Sequence, residues 1–240
     1  MKNKTKKILL AVCLTSTFSS MSLAEAESQS AISGNISIAN DYVFRGYAMH
    51  TDKEGKRKAK ATIQGEIEYD FANGFKVGVW GSNLSNNYDN NNISSEFDFS
   101  ASYAAQVDNV GYEIGYIRYI TDTDAEFEEI YIDASYADFG LTYYKGKDKG
   151  KNESSGEKQD YVEASYGVNI EDIDILASVG NHRYYTSNSG EHNEGSKVYG
   201  IEISKAYEGL DYSLKFTKTS EGESAVDNQS NTVFSISKSF

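Results

Sequence analysis

Charged side chains recur at every second position over long stretches of this sequence. Glu66 and Glu68, Glu96 and Asp98, and Glu129 and Asp133 each lie on the polar side of an alternating run. Together with Arg45, Lys60, Lys76, Glu113, Glu163, Asp174, Glu202, Asp211 and Lys215 they form a set of eleven carboxylates and four cations. If that side lines an enclosed, water-filled space, the surplus of carboxylates lowers the free energy of cations and raises that of anions, as charged rings in selective pores do. The same residues can instead neutralise one another. Glu66, Glu96 and Glu113 set against Arg45 and Lys76 would make a closed polar core. Arg45 stands out, because it falls in Asp41-Tyr42-Val43-Phe44-Arg45-Gly46, near the external end of the first expected strand. There it can orient a solute at a constriction or hold strand register through a salt bridge.

Catalytic and metal chemistry fit less well. The histidines are His50, His182 and His192. The first and last fall in expected loops, and His182 near the end of a strand on its polar side. A lipid hydrolase carried on a membrane barrel needs a His–Ser pair facing the bilayer and an orienting partner. None of the three takes that position, so no catalytic residue is assigned. Asn86, Asn87, Asp89, Asn90, Asn91 and Asn92 offer oxygen ligands of the kind Ca²⁺ takes. A single carboxylate without EF-hand spacing reads better as a solvated loop. No metal and no cofactor are expected.

The elements that must position the charged set are strands. Over 59–71 the odd positions are Ala59, Ala61, Ile63, Gly65, Ile67, Tyr69 and Phe71, and the even ones are polar or charged. Over 95–107 the pattern recurs with Phe97, Phe99, Ala101, Tyr103, Ala105 and Val107. A period of two marks a strand with two unlike faces. It predicts strands at 32–48, 59–71, 75–84, 95–107, 110–121, 128–137, 139–145, 159–168, 173–185, 196–206, 210–219 and 229–240. Tight links near 72–74, 108–109, 138, 169–172 and 207–209 alternate with longer polar links at 49–58, 85–94, 122–127, 146–158, 186–195 and 220–228. Short turns at one rim, longer loops at the other and an even strand count describe an all-β, antiparallel transmembrane barrel of about twelve strands with both termini periplasmic. A soluble periplasmic β-domain also alternates. Most of these strands have the nine to thirteen residues that a tilted spanning strand needs, and aromatics cluster at the tight turns like an interfacial girdle.

The N-terminus reads as an address. Lys2, Lys4, Lys6 and Lys7 precede an apolar run from Ile8 to Phe18 and then Ser22-Leu23-Ala24, which predicts a secretory signal peptide at 1–24, with cleavage after Ala26 as the alternative. The barrel domain is then 25–240. Cys13 leaves with the leader, so disulfides, thiolate nucleophiles and Cys-based metal sites are excluded. Four lysines leave too, so the net charge of −13 becomes −17. Such acidity argues against a nucleic-acid partner. The chain contains no Pro, which suits strands that cannot lose a backbone donor inside a bilayer. The C-terminal strand places Phe234, Ile236 and Phe240 on one face, an expected insertion signal for the barrel-insertion machinery. Lys238 interrupts that face.

Four blocks carry a family resemblance. SGNISIANDYVFRG (33–46) and YDFANGFKVGVWGSN (69–83) are followed by EFDFSASYA (96–104) and VGYEIGYIRY (110–119). In this order they resemble the TorF-like porin family of proteobacterial outer-membrane proteins. The first two blocks match closely and the hairpin more loosely, while the Lys-rich segment 52–60 is longer than that family's first loop. The resemblance implies an outer-membrane channel and speaks to fold and location more than to solute. The expected partners are outer-membrane lipid, lipopolysaccharide and small hydrophilic solutes, cationic or neutral. A plugged structural or receptor-type barrel is the alternative, and the loop at 146–158 would be its contact surface.

Overall fold

In the computed structural model, residues 30–52, 56–86, 93–123, 126–148, 158–185, 192–193, 195–220 and 228–240 are described. The predicted signal peptide and most of the expected Asn-rich, 146–158 and 220–228 loops lie outside these residues. Twelve long strands form the wall: β1 (Ala31–Ala39), β4 (Thr62–Asp70), β5 (Phe75–Asn86), β6 (Ile93–Val107), β7 (Val110–Thr121), β8 (Glu126–Tyr136), β9 (Phe139–Asp148), β10 (Lys158–Ile170), β11 (Ile173–Tyr185), β13 (Lys197–Tyr207), β14 (Leu210–Ser220) and β15 (Ser230–Ser239). Two tiny strands, β2 (Val43–Phe44) and β3 (Tyr47–Ala48), pair only with each other. A third, β12 (His192–Asn193), pairs with the end of β11 away from its short turn.

Each long strand pairs antiparallel with its neighbours, and the ring closes where β1 meets β15 through Asn35–Ser239 and Ile38–Ile236. Gly34 and Phe240 complete that seam by exchanging two backbone hydrogen bonds of 3.0 Å. Closure leaves no sheet edge, the condition for a sheet to sit in hydrocarbon. The short turns all lie on the rim where β1 begins and β15 ends. Glu171 and Asp172 have φ of 48° and 67°, and Glu208 and Gly209 have 50° and 74°. Positive φ at both central residues is what a type I′ hairpin demands, and its twist matches that of the flanking strands.

Alternation segregates the faces as the sequence pattern predicts. Ile36, Ile67, Phe99, Ile114, Ile132 and Ile201 are exposed on the outer wall, whereas Gln64, Glu96, Asp98, Glu113, Glu129 and Glu202 are buried within. The outer surface is therefore the more apolar one, inverted relative to a water-soluble protein. Around the turn rim, Phe75, Tyr103, Tyr136, Phe139, Tyr166 and Tyr207 stand outward, with Phe75–Tyr103 and Phe139–Tyr166 ring pairs at 4.9 and 4.8 Å. That is an aromatic girdle at one level.

The first strand differs from expectation. It ends at Ala39, and the chain does not run on to residue 48 in the wall. Asn40 ends it: its Oδ1 accepts the Phe234 N–H at 2.8 Å and its Nδ2 donates to the Thr232 carbonyl at 3.3 Å, so a side chain replaces the next ladder bonds. The following residues turn inward. The seventh wall strand, expected to stop at 145, continues to Asp148.

An apolar outer band makes a specific demand. Ile132→Lys, near the middle of β8 on the outer face, is expected to destabilise the barrel in lipid vesicles by about 2–4 kcal/mol, read from unfolding curves of the single tryptophan, Trp80.

Candidate functional site: an infolded hairpin in the barrel lumen

Residues 40–52 fold into the barrel from the rim opposite the short turns. Asp41, Tyr42, Val43, Arg45, Ala48, His50 and Thr51 are all buried there. Val43 pairs with Ala48 and Phe44 with Tyr47, leaving Arg45 and Gly46 as a two-residue tip with φ of 44° and 86°. Gly is needed at the second position: its φ is left-handed, and a Cβ there would sit 2.7 Å from Thr219 Cγ2 and 2.8 Å from Val198 Cγ1.

The base of the hairpin is tied by Asp41. Its Oδ1 accepts from the Tyr42 N–H at 3.0 Å and from His50 Nδ1 at 2.9 Å, and its Oδ2 accepts from Arg57 Nε at 2.8 Å. Burial works against the charge on Asp41, but the bonds from His50 and Arg57 outweigh it and hold the carboxyl below the usual value of 3.8. Tyr42 packs on Trp80 with ring centroids 5.6 Å apart and donates to Glu96 Oε2 at 3.0 Å.

The tip reaches the opposite wall. Arg45 forms two parallel hydrogen bonds to Glu129, Nη1 to Oε1 at 2.6 Å and Nη2 to Oε2 at 2.7 Å. Tyr119 donates to the same Oε2 at 2.7 Å. The guanidinium carbon lies 3.9 Å from the Tyr144 ring centroid, 4.6 Å from Phe44 and 4.7 Å from Tyr161, within cation–π range. His182 Nε2 donates to the Arg45 carbonyl at 3.1 Å, and Asn231 Nδ2 donates to the Gly46 carbonyl at 2.8 Å. Tyr47 and Ser196 share a hydroxyl contact, and Gln229 Oε1 accepts the Ala48 N–H at 2.9 Å. One short hairpin is therefore fastened to strands from β5 round to β15.

The sequence-predicted residues separate into groups. Glu66, Glu68, Lys76, Glu96, Asp98, Glu113, Glu129, Asp133, Glu163, Asp174, Glu202, Asp211 and Lys215 alternate onto the inner face. Lys76 meets Glu68 at 3.2 Å and Lys215 meets Glu202 at 3.8 Å. Tyr131 donates to Glu113, Thr142 to Asp133 at 2.6 Å and Tyr161 to Glu163 at 2.6 Å. The pairing of Glu66, Glu96 and Glu113 with Arg45 and Lys76 is not the one formed. Lys60 is exposed on the segment before β4 and does not face the lumen. Arg45 is inside, but on the hairpin tip and not on the first strand. His50, expected in an external loop, is fully buried against Asp41. His182 lies inside between the Tyr47 and Tyr161 rings, on the polar side that its parity predicts. Phe234 and Phe240 stand outward at the seam, with Ile236 on the same face, and Lys238 donates to the Gly209 carbonyl at 2.8 Å.

Sequence reasoning missed Tyr42, Trp80, Tyr119, Tyr144 and Tyr161 as site residues. A signal existed: Tyr42-Val43-Phe44 puts three apolar residues in succession, which breaks a period of two directly after Asn40-Asp41, a turn-forming pair. Below the hairpin the inner face carries small and polar side chains, including Gly78, Ser100, Ser165, Ser178, Gly200 and Ser213, interleaved with the carboxylates. Among the described residues no group of three His, Cys, Asp or Glu could hold a metal ion.

Two outcomes follow. Arg45→Ala leaves Glu129 buried without its cation and is expected to cost about 3–5 kcal/mol, seen as faster amide exchange over 41–51. The Asp41 anchor, with its carboxyl held low, is complete above pH 3.8 and is lost as the pH falls below that value. Exchange at the hairpin base should therefore rise below pH 3.8 in the wild type, and Asp41→Asn should abolish that dependence.

The fold has solved counterparts. The chain matches a KdgM porin structure at a TM-score of 0.52 and 10% identity, covering 88% of this chain and 98% of that one. A KdgM porin in complex with disordered oligogalacturonate matches at 0.54 and 10%, covering 88% and 99%. A NanC porin matches at 0.51 and 10%, covering 86% and 98%. At this identity the likeness concerns the barrel fold. Against curated proteins the sequence has no significant match. A family model covers nearly the whole chain: over residues 23–240 it belongs to Gcw_chp, a family of bacterial proteins of unknown function.

Proposed function

We propose that the barrel is a porin-like channel of the outer membrane for passive diffusion of small hydrophilic solutes, cationic or neutral, with the 40–52 hairpin as its constriction. The observation that carries this reading is the character of the interior. A barrel built only as a scaffold fills its lumen with interlocking side chains. Here the inner face below the hairpin carries many small and polar side chains beside Ile117, Tyr131 and Leu176, with carboxylates in excess of cations, and the 40–52 hairpin enters from one end and is held largely by polar contacts. An acidic wall of this kind favours cations. The inverted exterior, the aromatic girdle and the likeness to porin folds support the membrane location. The blocks at 33–46 and 69–83, similar to TorF-like porins, support the same reading.

In this reading the short-turn rim and both termini face the periplasm, the longer loops face outward toward lipopolysaccharide, and export begins with removal of residues 1–24. Phe234, Ile236 and Phe240 form the segment that the insertion machinery reads. The activity is transport without catalysis.

A plugged barrel without conductance is the second reading, favoured by the hairpin's attachment to so much of the wall. Planar bilayers distinguish the two. Purified wild-type protein should give steps of conductance, and in a salt gradient the reversal potential should take the sign of cation preference. Absence of conductance supports the plugged barrel, and anion preference contradicts the role given to the acidic wall.

A further inference from the structure

The group that holds Arg45 belongs to the wall. Tyr119, Glu129, Tyr144 and Tyr161 stand on four successive strands, β7 to β10. They offer a planar cation a carboxylate fork, a second donor to that fork and two aromatic faces. The two aromatic faces are also held by wall residues. Tyr131 packs on Tyr144 at 5.5 Å, Tyr144 on Tyr161 at 6.2 Å and Tyr161 on His182 at 4.4 Å. Tyr161 also donates to Glu163, and its ring occupies space that a Cβ on Gly180 would take, 2.2 Å from the Tyr161 hydroxyl.

The current occupant shows what the site reads. Only the two terminal nitrogens of Arg45 bond to Glu129, while Nε has no hydrogen-bond partner among the described residues. The site thus grips the head of a guanidinium and leaves the substituted nitrogen unread. A carboxylate fork matches a planar guanidinium in two parallel bonds, which a compact ammonium cannot reproduce.

We propose that this wall cluster is a recognition site for the guanidinium head of a solute, and that Arg45 is its built-in occupant, which such a solute must displace. The proposal rests on the channel reading for its biological setting, since it names a solute class for that lumen. The binding site itself does not depend on conductance. Binding a free guanidinium to the wild type is opposed by the tethered Arg45, whose hairpin is also fastened by Asn231, His182 and Glu96. Removing the occupant while keeping an apolar stem exposes the site.

The test is calorimetric titration of methylguanidinium chloride into the detergent-solubilised full barrel. Arg45→Met should bind saturably with one site, about tenfold or more tighter than it binds methylammonium, the difference that one charge-assisted hydrogen bond makes. The wild type should bind at least about tenfold more weakly than the variant, and Arg45→Met/Glu129→Gln should lose the binding. If Arg45→Met does not give a folded barrel, Arg45→Gln carries the measurement, because its neutral amide keeps a polar head on the hairpin and leaves the Glu129 fork to methylguanidinium. Lack of saturable binding in the folded variant, or equal binding by the Glu129→Gln double variant, overturns the proposal. Binding in a barrel that conducts nothing supports the site and contradicts the channel. Conductance without binding overturns the site and leaves the channel.

Discussion

Everything in this molecule depends on the closed ladder of twelve antiparallel strands. In hydrocarbon each unpaired N–H or carbonyl costs several kcal/mol, so a sheet survives there only without edges. Closure through the Asn35–Ser239 and Gly34–Phe240 seam meets that requirement. A closed ladder also has one inside and one outside, and the pleat gives every second side chain to each. The outward isoleucines and phenylalanines and the inward carboxylates are two consequences of that one constraint.

Inside the ring, the wall's surplus of negative charge is met by a segment that the ladder cannot absorb. Asn40 substitutes its amide for the next strand bonds and directs the chain inward. Asp41 clamps the two ends of the excursion, and Arg45 carries a cation to Glu129 across the lumen. A buried carboxylate without that partner would be costly, and a guanidinium without the carboxylate equally so. The hairpin and the wall therefore hold each other, so a loop, and not only the strands, fills part of the lumen.

How much was legible before the structure follows from the same physics. The wall was readable almost residue by residue, since alternation is imposed on every strand by the pleat. The expected spans 110–121 and 173–185 match β7 and β11. The inward side of Glu96, Asp98, Glu129 and Glu202 followed from parity alone. The hairpin was not readable in that way. Its strands are two residues long, its tip is Arg-Gly where a type I′ turn favours Asn-Gly, and Val43 and Phe44 look like a continuing strand. Lys60 fails for the same reason, because it lies in an irregular lead into β4. The aromatic surroundings of Arg45 come from strands β7 to β10, far along the chain, and no spacing rule links Tyr119, Tyr144 and Tyr161 before the ring closes. Parity places each of them inside, but only the closed fold brings them to one guanidinium.

On the channel reading, residues 40–52, and not the wall, set the passage through the barrel. Single-channel conductance of a variant with 41–51 replaced by a short Gly-Ser linker, set beside that of the wild type, tests it most directly. The linker variant should show a larger conductance with cation preference retained, since the acidic wall is untouched. Equal conductance in the two proteins would contradict it.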